Sequence, residues 1–323
     1  MIYVGIDVAK DKHDCFALDS NGEILIEKLT ITNNLDGFET LYISLMNFSN
    51  SLDNIKVGLE ATGHYSNNIL NFLTEKGFNI YLINPLQTNL YVKGQSLRKT
   101  KTDKLDAHII ATMLISDNLK PYIPVSYHIS ELKSLTRHRF RLVKAIEIRE
   151  IARKSIGTPS ESVAFELKQT INIIQFLQKQ IDDIDKRIKE ILKEIDTPIL
   201  SILGISFKLA GSILGEIGDI SKFDSPSKLL SFAGLAPSMY QSGKFFSTHS
   251  VMVKRGSKYL RFSLMNASRM VCMNDAVFNN FKNKKMSEGK HYMVTMGHVA
   301  KKLVRVIYYL LKTNNKYEAD KVA

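Results

Sequence analysis

The chain has no tryptophan, only two cysteines and only seven prolines in 323 residues. Cys15 and Cys272 are too few and too far apart for a disulfide framework or a zinc knuckle, so a reducing cytoplasm is the natural setting. No apolar run approaches the roughly 20 residues that a membrane-spanning helix requires. The opening stretch MIYVGIDVAKDK places Asp7 where a signal peptide would continue its apolar core. Internal repeats and low-complexity tracts are also lacking. Acidic residues are in deficit: 32 Asp+Glu stand against 44 Lys+Arg, a formal charge of +12. So basic a balance favours a polyanionic partner, nucleic acid first and an anionic membrane surface second. The remainder is ordinary for a globular protein, 44% hydrophobic and 24% charged, with length for two or three packed units.

The first third alternates strands and helices. Ile2, Val4, Ile6 and Val8 fall on one face of a strand, with Tyr3, Gly5 and Asp7 on the other. Residues 15–17 and 23–29 predict a hairpin around Ser20-Asn21-Gly22. A helix over 35–48, a strand ending at Glu60, a helix closed by Gly77 and a buried strand stopped by Pro85 follow. A basic connection then leads to a helix that begins near Thr102. Three strands in hairpin order, then helix–strand–helix–strand–helix, predict a mixed α/β unit close to a ribonuclease-H-like core over residues 1–125. Pro121 and Pro124 mark its end.

Residues 126–198 predict a basic helix and then a coiled coil. Ile174, Leu177, Ile181, Ile184, Ile188, Ile191 and Ile195 step by three and four residues. So narrow a stripe, with Lys, Asp and Glu outside it, suits a seam between protomers and hence a homo-oligomer. An ordinary amphipathic helix packed on its own domain is the competing reading. Residues 199–323 predict an all-α domain whose basic last helix frays into a polar end. Around Gly204-Ile205-Ser206 two short helices take the form of a helix–hairpin–helix, which binds phosphate through backbone N–H groups.

Two groups of residues carry the chemistry. Asp7 and Glu60 sit at strand ends, and Asp103 and Asp106 open a helix. Acidic residues suit a helix N-terminus, and each of the four alone is a turn or cap residue. In a ribonuclease-H-like sheet, however, all four converge at one edge, where hard oxygen ligands would hold two Mg²⁺ ions for phosphodiester chemistry. Asp11 and Asp14 are weaker candidates. His13, His64 and His108 lack metal-ligand spacing and read as surface or supporting residues. The second group is the loop GLAPSMYQSGK with the downstream KRGSKYLR. Its serines, Ser238 and Ser242, are by themselves ordinary turn residues. Arg98, Lys99, Lys101, Lys104, Arg137, Arg139, Arg141, Lys254, Arg255 and Arg261 are candidates for gripping a phosphate backbone.

GIDVAKDKHD, EATG, INP, KTDKLDA, GLAPSMYQSGK and KRGSKYLR occur here in one order. In these blocks the sequence resembles the transposases of insertion-sequence family one-hundred-ten, bridge-RNA-guided serine recombinases related to the pilin-gene inverting recombinase. The resemblance covers nearly the whole chain except the central seam. It implies a RuvC-like Asp-Glu-Asp-Asp set at Asp7, Glu60, Asp103 and Asp106 that binds Mg²⁺. It places the nucleophile, which forms a phosphoserine link to DNA, at Ser242, with Ser238 as the alternative. It further implies a tetramer built from dimers, in which the serine of one protomer works beside the carboxylates of another. A structured RNA from the element would pair with donor and target DNA. A cytoplasmic, nucleoid-associated enzyme without membrane contact follows. Two departures stand out: Ser257 where the family often has Asn, and His64 after EATG. A junction-resolving nuclease using metal-activated water, and a non-catalytic nucleic-acid scaffold, are the competing functions.

Overall fold

The structure, a computed structural model, describes residues 1–61, 65–95, 103–116, 119–124, 126–155, 161–237, 241–242, 245–246 and 252–321. It divides into two compact units, Met1–Pro124 and Val125–Ala323. The separate domains expected over 126–198 and 199–323 lie together in the second unit.

In the first unit, β1 (Ile2–Val8), β2 (Lys12–Asp19) and β3 (Ile24–Thr32) form an antiparallel meander. After α1 (Leu35–Met46), β4 (Ile55–Glu60) joins β1 in parallel. Then α2 (Asn67–Lys76) leads to β5 (Asn79–Ile83), parallel to β4, and the sheet order is β3-β2-β1-β4-β5. This is the mixed α/β arrangement expected from the strand and helix order. Gly77 closes α2 in the left-handed conformation, φ 88°.

The two faces of the sheet are covered differently. Val4, Ile6, Val57, Leu59 and Ile80 point into a core with Phe38, Leu41 and Leu45 of α1 and Ile69, Phe72 and Leu73 of α2. The other face carries Tyr3, Phe16 and Leu18 against Ala107, Ala111 and Leu114 of α4 (Asp103–Met113) and the turn after it. The chain from Pro85 to Gln95, expected as a connection, is the helix α3. Pro85 stops the strand and opens the helix at once. Asn84 caps it, its side-chain Oδ1 accepting from the Leu86 N–H at 2.9 Å.

The second unit is helical: α5 (Tyr127–Ser155), α6 (Glu161–Ile195), α7 (Phe207–Ile217), α8 (Pro226–Phe232), α9 (Lys258–Asn274), α10 (Ala276–Ser287) and α11 (Tyr292–Thr313). Its core joins Leu132 of α5 and Ile188, Ile191 and Leu192 of α6 to Ile213, Leu264, Val299, Leu303 and Ile307. The isoleucine seam of α6 is therefore used in two ways. Its lower half, Ile181 to Ile195, packs within the unit, and a Cβ added at Gly211 of α7 would lie 2.8 Å from Ile188. Its upper half, with Ile174 and Leu177, runs where Phe165 and Phe176 are 66% and 61% exposed.

At the expected helix–hairpin–helix, the first element is one 3₁₀ turn, Pro198–Ser201. Gly204, at φ +92°, is so close to α9 that a Cβ would lie 2.6 Å from the Met270 carbonyl. The end of α11 does not fray. Asn314 adopts the left-handed conformation, φ 54°, and the chain turns back, with the Tyr317 N–H donating to Ser201 Oγ at 2.7 Å. Among the described residues no helix is long and apolar enough to cross a membrane.

Candidate metal centre and nucleophile loop

A pair of glycines seats the helix that opens with two of the acidic candidates. Gly5 of β1 and Gly58 of β4 are partners across the parallel pair. A Cβ at Gly5 would fall 2.0 Å from the Ala107 carbonyl oxygen, and one at Gly58 would fall 2.8 Å from Ile110 Cγ2. The helix thus lies nearly on the strand backbone, and alanines at 107 and 111 allow the approach. Along a strand, alternate residues share a face. Asp7 therefore lies on the helix side beyond Gly5, and Glu60 beyond Gly58. The register Ile6↔Leu59 brings Asp7 and Glu60 into line on neighbouring strands. The first turn of α4, Asp103 to Asp106, precedes Ala107 at this same edge. Asp7, Glu60 and Asp106 are all half-buried, while the side chain of Asp103 lies outside the described residues.

Asp14 belongs to this edge as well, although its place in the sequence marks it as a lesser candidate. It is the direct cross-strand partner of Asp7, and Thr30 Oγ1 donates to its Oδ1. Lys12 Nζ approaches its other oxygen at 3.9 Å. Carboxylates directly opposed across a strand pair repel, and a divalent cation that prefers oxygen ligands relieves that repulsion. The donor set fits such an ion. Among the described residues alone, no three acidic, His or Cys side chains close to metal-holding distance.

The histidines divide. His13 is fully buried, not a surface residue; burial holds it below its ordinary pKa, and its ring stacks on Phe38 at 6.0 Å. His108 is exposed, edge-on to Phe16 at 4.8 Å. His64 lies outside the described residues.

The basic candidates fall into three groups. Arg98, Lys99 and Lys101 lie outside the described residues, and Lys104 is on α4. Arg137 and Arg139 are committed within the fold. Arg137 grips Glu216 through Nε at 2.5 Å and Nη2 at 3.0 Å, with its guanidinium 4.8 Å from the Tyr259 ring. Arg139 Nε donates to Asp185 at 2.6 Å, and Lys208 meets the same carboxylate at 2.8 Å. Arg261 is turned inward too, donating to the carbonyls of Lys254 at 3.2 Å and Ala233 at 3.5 Å. Arg141, Lys254 and Arg255 remain exposed, and the described residues offer them no carboxylate partner.

Glu216 organises the neighbouring KRGSK turn. Ser257 Oγ donates to Glu216 Oε2 at 2.7 Å and accepts from the Leu260 N–H at 3.1 Å, so it caps α9. Ser and Asn are equally good N-caps, which explains how Ser257 serves where Asn is frequent. Burial pushes the Glu216 carboxyl up, but Arg137 and Ser257 outweigh it and hold it below its ordinary value.

Upstream of that turn the chain makes an excursion closed at its base by a bridge between Pro237 and Met252 and by the Val253 N–H donating to the Ala236 carbonyl at 2.8 Å. Within it β6 (Gln241–Ser242) pairs with β7 (Phe245–Phe246), Ser242 opposite Phe245. Ser242 is thus the last β6 residue. Ser238 lies outside the described residues.

An acid-lined sheet edge and a chain of net charge +12 define a class, the nucleic-acid-processing enzymes of mixed α/β build. Two family profiles match: a DEDD transposase domain over residues 4–155, and the transposase domain of the IS116/IS110/IS902 family over residues 196–283. The chain belongs to this family of DNA transposases and recombinases. It is 27% identical to the pilin gene-inverting protein of Moraxella bovis, covering 98% of this chain and 97% of that protein. It is 24% identical to the transposase for IS1111A of Coxiella burnetii, covering 87% and 79% respectively. The Thermus thermophilus RuvC structure overlaps 38% of this chain and 100% of its own at 14% identity and a TM-score of 0.29.

Proposed function

We propose that this transposase cuts and rejoins DNA of its insertion sequence with Ser242 as nucleophile and with Asp7, Glu60, Asp103 and Asp106 holding Mg²⁺, two ions per site. The observation that carries the reading is the Gly5–Gly58 seat, which sets the opening turn of α4 at the edge where Asp7 and Glu60 end their strands. A bound divalent cation would supply Lewis-acid stabilisation of charge at the scissile phosphate. In the first step the Ser242 oxygen forms a bond to phosphorus as a phosphorus–oxygen bond to deoxyribose breaks. The hydroxyl proton leaves to solvent, and the freed deoxyribose oxygen takes one up. One phosphodiester replaces another, so attack by a deoxyribose hydroxyl on the phosphoserine rejoins DNA without an outside energy source.

The exposed Lys254, Arg255 and Arg141 would hold phosphates together with Arg98, Lys99, Lys101 and Lys104. Arg137, Arg139 and Arg261 would instead support the fold of the helical unit. The carboxylates of one protomer would serve the serine of another, in a tetramer built from two dimers, each joined through the upper seam of α6. A structured bridge RNA would choose donor and target by base pairing. The deciding experiment is Ser242→Ala. It should abolish both strand exchange and the covalent protein–DNA adduct while DNA binding persists. Persistent strand exchange would refute the serine role. Cleavage that survives in this variant but disappears in Asp7→Asn would point to a water-using nuclease. RNase treatment of the loaded protein should remove site choice; unaltered choice would overturn RNA guidance.

A further inference from the structure

The returning tail builds a cavity of about 710 Å³ against α11 and α10. Its size falls within the roughly 300–1,000 Å³ of small-ligand pockets. The wall on α11 is a stripe in which Lys301, Arg305 and Tyr309 recur one helical turn apart, with Lys302 beside Lys301. The opposite wall carries Lys316 and Tyr317 and is fixed in place: the Tyr317 N–H is bound to Ser201, and its ring stacks on Phe278 at 6.4 Å.

The charge of this cavity is one-sided. Its one carboxylate, Glu318, is taken by Lys321 at 2.9 Å. Lys301, Arg305 and Lys316 have no carboxylate within 4.0 Å among the described residues. Lys302 is held over the rings of Phe281 and Phe278, at 5.1 and 5.9 Å. Tyr309 lines the cavity, is 53% exposed, and has no ring or cation stacked on it among the described residues. Cations around a concave site with an open aromatic ring match a phosphate joined to a flat base. A duplex buries its base faces and is too wide for such a hollow, whereas an unpaired nucleotide offers both parts.

We propose that this cavity holds an unpaired nucleotide of a single-stranded nucleic acid, its phosphate among Lys301, Arg305 and Lys316 and its base against Tyr309. The proposal rests on nucleic acid as the partner, but not on the serine or metal chemistry. Its test is anisotropy of the full-length protein, in EDTA, with labelled oligothymidine, oligouridine and a hairpin duplex. Arg305→Glu with Lys316→Glu should weaken single-strand binding about tenfold or more and duplex binding by no more than about twofold. Tyr309→Ala should cost about tenfold on single strands, and Tyr309→Phe should restore binding. The better-bound oligonucleotide identifies the strand as DNA or RNA. Unchanged single-strand affinity, or equal losses on single strand and duplex, would overturn the proposal. Asp7→Asn, run in parallel, should lose cleavage and keep oligonucleotide binding, so the two readings fail separately.

Discussion

Glu216 and Arg137 face each other across α7 and α5 in a two-pronged ion pair, and the Glu216 carboxylate is almost wholly buried. Because the folded-state carboxyl lies below its ordinary value of 4.5, its contribution is complete above that value. It is lost as pH falls through the lower folded value. Wild-type Tm should therefore decline in mild acid, below about pH 4.5, and Glu216→Gln should flatten that decline. At neutral pH Glu216→Gln should cost about 3 kcal/mol, the low end for breaking a buried pair, because Arg137 is partly exposed. Thermal melts across pH measure both effects.

Gly5→Ala should disable catalysis without altering a carboxylate. The added methyl would meet the backbone of α4 at Ala107, so the helix must lift from β1. Overpacking of this kind costs about 1–3 kcal/mol. Strand cleavage should fall far more than DNA binding, read by gel assays on one preparation.

Asp14→Asn should raise the Mg²⁺ concentration needed for half-maximal cleavage while leaving maximal cleavage partly intact. Asp7→Asn should abolish cleavage at every metal concentration. A metal titration separates the two; identical curves for Asp14→Asn and wild type would remove Asp14 from the centre.

The arginines provide an internal control. Lys254→Ala with Arg255→Ala should lower the slope of log affinity against log salt by about two. Arg139→Ala should leave that slope unchanged and lower Tm, because it strands the buried Asp185 with Lys208 alone.

For the oligomer, Ile174→Asp with Leu177→Asp should reduce the mass seen by light scattering and leave the helical unit folded. Ile188→Asp should instead unfold it, since Ile188 packs against α7 and Leu192.

Much of this fold is legible from local pattern. Alternation from Ile2 to Val8 marks β1, Gly77 closes α2, and carboxylates at strand ends point to the edge they share. Helix α3 was hidden because Pro85 reads as a strand stop; the Asn84–Pro85 pair, a cap before proline at the first helical position, carries the missed signal. Long-range pairing is different. Arg137 and Arg139 look like free cations until partners 79 and 46 residues away are brought beside them. Burial of His13, the pairing of Asp14 with Asp7, and the return of the tail onto Ser201 likewise depend on tertiary neighbours.

The sheet assigns separate duties to its two sides. Packing against α1 and α2 contributes cohesion, while the side under α4 carries the acidic edge and tolerates almost no added atom at Gly5. On the reading proposed above, an engineer seeking a hardier recombinase would repack the α1–α2 side and leave the acidic edge untouched. On that reading the stability and activity so often traded against each other in enzymes would be adjusted from opposite surfaces of one sheet.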